Sequence, residues 1–103
     1  MKRVMIGFLA VGMIASAAPG FAATKKEKEC GYQADIVTAV QKARLDRVRE
    51  RDVTKVVLAG EVTWPKNYNA AIPIFAGEVY KLKMRDLRNS DQGAAWRKLC
   101  LAN

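Results

Sequence analysis

Two cysteines, Cys30 and Cys100, are the only ones in this chain of 103 residues, and 70 positions separate them. A chain this short buries barely enough apolar surface to offset the conformational entropy that folding removes, so small proteins are often held by disulfides. Two cysteines allow a single intramolecular pairing. We therefore predict one structural disulfide that joins the start of the fold to its end.

Other uses of the two cysteines fit the sequence less well. A redox pair usually has the spacing Cys-x-x-Cys, and a structural zinc site needs about four ligands. The chain has no histidine to complete such a ligand set. An intermolecular bridge remains an alternative to the internal one. The sequence thus predicts no metal site and no cofactor.

The N-terminus has the order of a bacterial-type secretory signal peptide. Lys2 and Arg3 precede an apolar stretch over residues 4–18, and Gly20 and Ala22 are the small residues that signal peptidase requires. The apolar stretch is shorter than the about 20 residues that span a bilayer. We therefore predict a cleaved leader over residues 1–22, no transmembrane span in the mature chain, and export to a periplasm or the exterior, where disulfides persist.

The chain is strongly basic. It has 18 Lys and Arg against 10 Asp and Glu, and loss of Lys2 and Arg3 with the leader lowers the net charge from +8 to +6. A positive excess of this size favours anionic partners. Because the predicted location lies outside the cytoplasm, an acidic protein or another anionic component of the cell envelope is expected, and nucleic acid is not.

Helix-forming residues dominate residues 23–103, with no repeat and no linker that would divide them. We predict one all-α domain, a small bundle of three or four helices closed by one disulfide, with a disordered arm over residues 23–29. Predicted helices cover residues 31–51, residues 53–59 before Gly60, a segment that begins near residue 68 or at Pro73, and residues 91–101.

The first predicted helix shows a one-sided pattern. Apolar residues recur at Tyr32, Ile36, Ala39, Val40 and Ala43, and polar residues fall between them. This periodicity is typical of a surface helix that buries one stripe.

Residues 78–85 are ambiguous because apolar and polar residues nearly alternate there, as in a strand. A strand would need a partner, and only residues 53–58 and 61–63 offer one. We therefore predict a helix for residues 78–85.

The residue inventory argues against an enzyme. Histidine is absent, Ser90 is the only serine after the leader, and both thiols are assigned to the disulfide. Nucleophile systems of the Ser/His and Cys/His types are thereby excluded. Asp46 and Glu50 form the one carboxylate pair at helical spacing, and the cations around them favour surface ion pairing over catalysis.

Two groups of basic residues are candidates for partner binding. The first mixes six cations with three carboxylates over residues 42–55 and favours a solvated face. The second is denser and follows an aromatic residue, a combination that interfaces use. Charge runs are most often only solvated, which is the alternative reading. The predicted partner-binding residues are Tyr80, Lys81, Lys83, Arg85 and Arg88, with Trp64 as an exposed aromatic.

The leading functional hypothesis is a non-enzymatic exported protein that binds or inhibits an acidic protein partner, with no prediction of its oligomeric state. One alternative is a periplasmic stress chaperone that exposes the apolar residues 69–77, although core packing is the commoner use of such a stretch. Another is a protein that binds anionic lipid or polysaccharide. Each of these classes needs a different surface, so the structure bears on the choice.

Overall fold

The computed structural model describes residues 24–103, which form five α-helices and contain no strand. The helices are α1 (Lys25–Leu45), α2 (Val53–Ala59), α3 (Ile72–Val79), α4 (Met84–Arg88) and α5 (Gln92–Ala102). The 3-10 segments Glu50–Asp52 and Lys66–Ala71 precede α2 and α3. The predicted all-α bundle closed by one disulfide is confirmed, and four of the five helices have seven or more residues. The predicted signal peptide lies outside the described residues.

The disulfide joins α1 to α5. Cys30 and Cys100 are bonded, with their Cα atoms 5.7 Å apart. At the other end of α5, Gly93 lies so close to α1 that a Cβ atom there would be 2.8 Å from the carbonyl oxygen of Ala34 and would also collide with the Thr38 side chain. The absence of a side chain therefore allows the two helices to pack closely along their length.

Helix α1 is the centre of the bundle, which the sequence analysis did not predict. It contacts all four other helices, and Ala34, Val37 and Gln41 are buried in addition to the predicted stripe. The expected one-sided surface helix is therefore wrong, because small residues on several sides of α1 let neighbours approach. The main core cluster consists of Ile36, Val37, Val40, Ala43, Val53, Val57, Trp64, Ile72, Ala76, Val79 and Leu87.

The predicted disordered arm, residues 23–29, is corrected by the structure from Lys25 onward. Helix α1 begins at Lys25 because Thr24 and Glu27 form a capping box, in which the Thr24 hydroxyl accepts from the Glu27 amide and the Glu27 carboxylate accepts from the Thr24 amide. This arrangement satisfies two backbone donors that the start of a helix otherwise leaves unpaired. The charged run is thereby the first turn and a half of α1.

Helix α1 ends at Leu45 rather than near Arg51. Arg47 adopts a left-handed backbone conformation with φ 65°, the Arg47 amide donates to the Arg44 carbonyl, and the Val48 amide donates to the Ala43 carbonyl. These two bonds form a Schellman motif, which terminates helices and usually has glycine at the left-handed position. Arginine in its place gives no stop signal in the sequence.

Two shorter helices match their predicted bounds closely. Helix α2 covers Val53–Ala59 and ends before Gly60, although the Asp52 side chain makes no capping bond. Helix α5 begins after Asp91, whose carboxylate accepts from the Ala94 amide at 2.9 Å. Among residues 24–103, no helix combines the length and the apolar character needed to cross a bilayer.

The predicted helix over residues 78–85 is wrong at its centre. Helix α3 ends at Val79, a turn follows, and α4 begins at Met84. The amides of Lys81 and Leu82 donate to the carbonyls of Glu78 and Val79, which closes the turn. The alternation in the sequence reflects this turn, in which alternate side chains pack against the core.

Candidate functional site

The first basic segment of the candidate site is the connection between α1 and α2. Arg47, Arg49 and Arg51 are all exposed there. Val48 lies between them and packs against the core. Because Arg47 follows the last turn of α1 in a left-handed conformation, the connection leaves the helix axis and directs alternate residues to solvent. This segment belongs to the basic group that the sequence analysis assigned to a solvated face.

The second basic segment is the turn between α3 and α4 together with α4. Lys81, Lys83, Arg85 and Arg88, four of the predicted partner-binding residues, are exposed. The apolar and aromatic side chains at positions 80, 82 and 84 are partly buried against the core. The turn therefore separates its cations from its apolar residues.

Tyr80 joins the two basic segments. Its hydroxyl donates to the Val48 carbonyl at 2.6 Å, and the Arg44 guanidinium lies over its ring at 5.1 Å from the centroid. Burial raises the pKa of the Tyr80 phenol, the Arg44 charge opposes the rise, and Glu50 adds to it. A phenol that stays protonated keeps donating to Val48, so the side chain acts as a tie between segments rather than as an exposed contact.

We call the resulting surface the basic end. It consists of the exposed cations Arg47, Arg49, Arg51, Lys81, Lys83, Arg85 and Arg88. The carboxylates of the same segments and their flanks are fewer: Asp46, Glu50, Asp52, Glu78 and Asp86. The bond between Tyr80 and Val48 thus brings together two segments about thirty positions apart in the sequence, which carry seven exposed cations against five carboxylates.

Only part of the basic end is neutralised by ion pairs. Arg49 pairs with Asp52 at 3.5 Å, Lys81 with Glu78 at 3.3 Å, and Arg85 with Asp86 at 3.8 Å. Within residues 24–103 no carboxylate oxygen lies within 4.0 Å of the remaining cations, Arg47, Arg51, Lys83 and Arg88. These four cations are available to an anionic ligand without the loss of an existing pair.

Gln41 holds α4 and α5 in place beside this surface. Its side-chain amide donates to the carbonyls of Leu87 at 2.8 Å and Ser90 at 2.9 Å, and its oxygen accepts from the Gln92 amide at 2.9 Å. The side chain is buried, one turn before the C-terminal end of α1. One polar residue therefore satisfies the end of α4 and the start of α5 at once, which fixes the position of the cations on α4.

Trp64, the remaining predicted partner-binding residue, lies outside the basic end. It is only 6% exposed, and its indole nitrogen donates to the Asn69 side chain at 2.9 Å. The neighbouring Thr63 hydroxyl donates to Asp35, which precedes Arg44 by nine residues or about 13 Å along α1. The structure therefore places Trp64 in the core instead of on an exposed basic surface with Tyr80.

The sequence analysis missed Arg47, Arg49 and Arg51 as partners of the second basic segment. The contact that unites them, between Tyr80 and Val48, joins residues 32 positions apart. No local pattern signals such a contact. Across the part of the chain that the structure describes, no group of three or more Cys, Asp or Glu residues is arranged to hold a metal ion.

The fold and the site define a small helical protein, closed by one disulfide, that presents a basic surface at one end. No protein-family model, curated protein or solved structure matches the chain. We therefore infer the function from the geometry and the charges of this chain alone.

Proposed function

We propose that this protein is a non-enzymatic exported binding protein that docks an acidic protein partner on its basic end. The observation that carries the proposal is the bond between the Tyr80 hydroxyl and the Val48 carbonyl, which places two basic segments side by side. The predicted leader and the disulfide support an envelope or extracellular location.

The cations of the basic end suit carboxylates on a protein surface. Arginine presents a planar fork that binds a carboxylate through two parallel hydrogen bonds, and three of the seven cations lie on the short α1–α2 connection as arginines. The existing ion pairs are exposed and therefore contribute at most about 1 kcal/mol each. Exchange of these partners for the carboxylates of a ligand costs little.

An anionic membrane fits this surface less well than an acidic protein does. Binding to a bilayer is strengthened by apolar side chains that insert beside the cations. At the basic end the large apolar residues Val48, Leu82 and Met84 pack against the core. The surface therefore offers positive charge without an apolar side chain that could insert into a bilayer. For the same reason the basic end gives no support to binding of a sugar by aromatic stacking.

A second candidate function is the chaperone of the sequence analysis, and one observation favours it. Ile74, in the apolar stretch 69–77, is 68% exposed on α3. A large apolar side chain with this exposure is suited to contact unfolded clients. Ile72 and Ala76 are buried, and the other exposed residues of the stretch, Ala70 and Pro73, are small, so Ile74 is its one exposed large apolar side chain.

Capture from an envelope extract at low and at high salt tests the proposed function. The purified protein, with its disulfide intact, is immobilised, and bound proteins are identified at each salt concentration. We expect a partner with an acidic surface that is retained at low salt and lost at high salt, because exposed charges are screened within about 10 Å at 0.1 M salt.

Retention of the partner at both salt concentrations would contradict electrostatic docking and favour apolar contact through Ile74. Sedimentation with vesicles of phosphatidylglycerol serves as the control for lipid. Co-sedimentation in the absence of any captured protein would also contradict the proposal.

A further inference from the structure

A groove between α1 and α2 has the opposite electrostatic character to the basic end. It is an open cleft of about 500 Å³. Its apolar lining consists of Ala39 and Val56, which are accessible, and of Ala43, Val57 and Trp64, which are buried and form its floor. Val56 is 42% exposed at the edge. The groove therefore presents apolar surface that no other part of residues 24–103 covers.

The charged residues of the groove are mostly acidic. It is lined by three carboxylates, Asp35, Asp46 and Glu61, and by one cation, Lys42. Lys42 pairs with Asp46 at 2.9 Å, and Asp35 accepts from the Thr63 hydroxyl at 2.7 Å. Within residues 24–103 Glu61 has no cation within 4.0 Å. A chain with a large positive excess thus places more carboxylates than cations around this groove.

We propose that this groove binds a peptide segment of another protein in which apolar side chains alternate with lysine or arginine. The apolar lining accepts the aliphatic side chains, and the carboxylates face the cations beside them. Because the rest of the surface is basic, such a segment is attracted to the groove and repelled elsewhere. This inference is independent of the basic end and needs no acidic partner.

A second copy of this chain fits the groove less well. The cations of the basic end would meet the carboxylates, but Val48 and Leu82 beside them are packed against the core and supply no apolar side chain for the groove. The net positive charge of each copy also opposes association. A separate protein with an accessible basic and apolar segment is the better occupant.

Titration with three labelled synthetic peptides tests this inference. The first alternates leucine and lysine, the second alternates leucine and glutamate, and the third alternates serine and lysine. Binding is measured by fluorescence anisotropy, and the contact surface is mapped by amide chemical shifts of the intact protein. We expect only the leucine–lysine peptide to bind, with shifts at Ala39, Val56 and Gly60.

Two variants in the groove and one control variant outside it locate the binding site of the peptide. Glu61→Lys changes an exposed residue at the groove and should weaken binding of the leucine–lysine peptide about tenfold. Ala39→Phe fills the groove and should abolish binding. Glu50→Lys makes the same charge change outside the groove and should alter the affinity less than about twofold. Because Glu61 is exposed, its variant remains informative if Ala39→Phe fails to fold.

Equal binding of the serine–lysine and leucine–lysine peptides would overturn the proposal, because charge alone would then suffice. Equal weakening by Glu61→Lys and Glu50→Lys, or no binding of any peptide, would do the same. If the groove amides shift when the concentration of the protein alone is raised, the occupant is a second copy, and the proposal is also overturned.

Discussion

Replacement of both Cys30 and Cys100 by alanine is expected to lower the free energy of unfolding by about 4 kcal/mol. The disulfide closes a loop with a sequence separation of 70 residues, and a loop of this length restricts the unfolded chain strongly. A small domain has a total stability of about 5–15 kcal/mol. Loss of the disulfide therefore removes a large fraction of the stability, and part of the population should unfold at physiological temperature.

Urea unfolding followed by circular dichroism measures this effect. The reduced wild-type protein is the matched control, because it loses the same crosslink without a change of side-chain volume. Alanine is preferred to serine because Cys30 is 1% exposed and a hydroxyl there would lose its hydrogen bonds to water. If the double variant and the reduced protein unfold at the urea concentration of the oxidised wild type, the disulfide does not hold the fold.

The substitution Gln41→Leu is expected to lower the free energy of unfolding by about 3 kcal/mol. Leucine keeps the volume of the side chain but leaves the Leu87 and Ser90 carbonyls and the Gln92 amide without their partner. A buried backbone group without a hydrogen bond costs about 1–3 kcal/mol. The loss should loosen α4 and α5, which Gln41 holds against α1.

The neighbouring substitution Lys42→Leu is the control, because Lys42 is exposed and pairs only with Asp46. Its effect should stay within about 0.5 kcal/mol, the range of ordinary surface substitutions. Amide hydrogen exchange in the Gln41→Leu variant should show faster exchange in α4 and at the start of α5 than in the centre of α1. Equal effects of the two substitutions on unfolding would contradict the role assigned to Gln41.

The parts of the fold that could be predicted are those with local signals. Helix α5 begins after Asp91, a carboxylate of the kind that suits a helix N-terminus, and α2 ends before Gly60, which disfavours helix continuation. The disulfide followed from the number of cysteines and from the predicted export. In each case the signal lies within a few residues of the feature or depends only on composition.

The errors have physical causes that composition does not reveal. The end of α1 is set by a left-handed arginine, Arg47, where the sequence shows no glycine. The start of α1 is set by the pair Thr24 and Glu27, a recognisable capping pattern that was obscured by the charges around it. The turn after Val79 imitates the alternation of a strand because its apolar residues face the core.

The candidate site was predictable only in part. The exposed cations Lys81, Lys83, Arg85 and Arg88 follow from their density in the sequence. Their union with the α1–α2 connection depends on the Tyr80 contact with Val48, and the burial of Trp64 depends on the packing of α1 and α2. Contacts between distant segments set both, so no window of the sequence contains them.

Charge reversals in the two segments of the basic end test the central claim most directly. Arg51→Glu alters the α1–α2 connection, and Lys83→Glu alters the turn between α3 and α4; both residues are exposed and lie outside the described ion pairs. Lys98→Glu is the matched control on α5, close to Cys100 and so about 20 Å from Arg44 along α1. The affinity of each variant for the captured acidic partner is compared with that of the wild type.

If the two segments form one docking surface, Arg51→Glu and Lys83→Glu should each weaken binding of the same partner about tenfold, and Lys98→Glu should weaken it less than about twofold. Equal weakening by all three variants would show that only net charge matters. An effect of Lys83→Glu without an effect of Arg51→Glu would show that the segments act separately, and either result would contradict the basic end as a single binding surface.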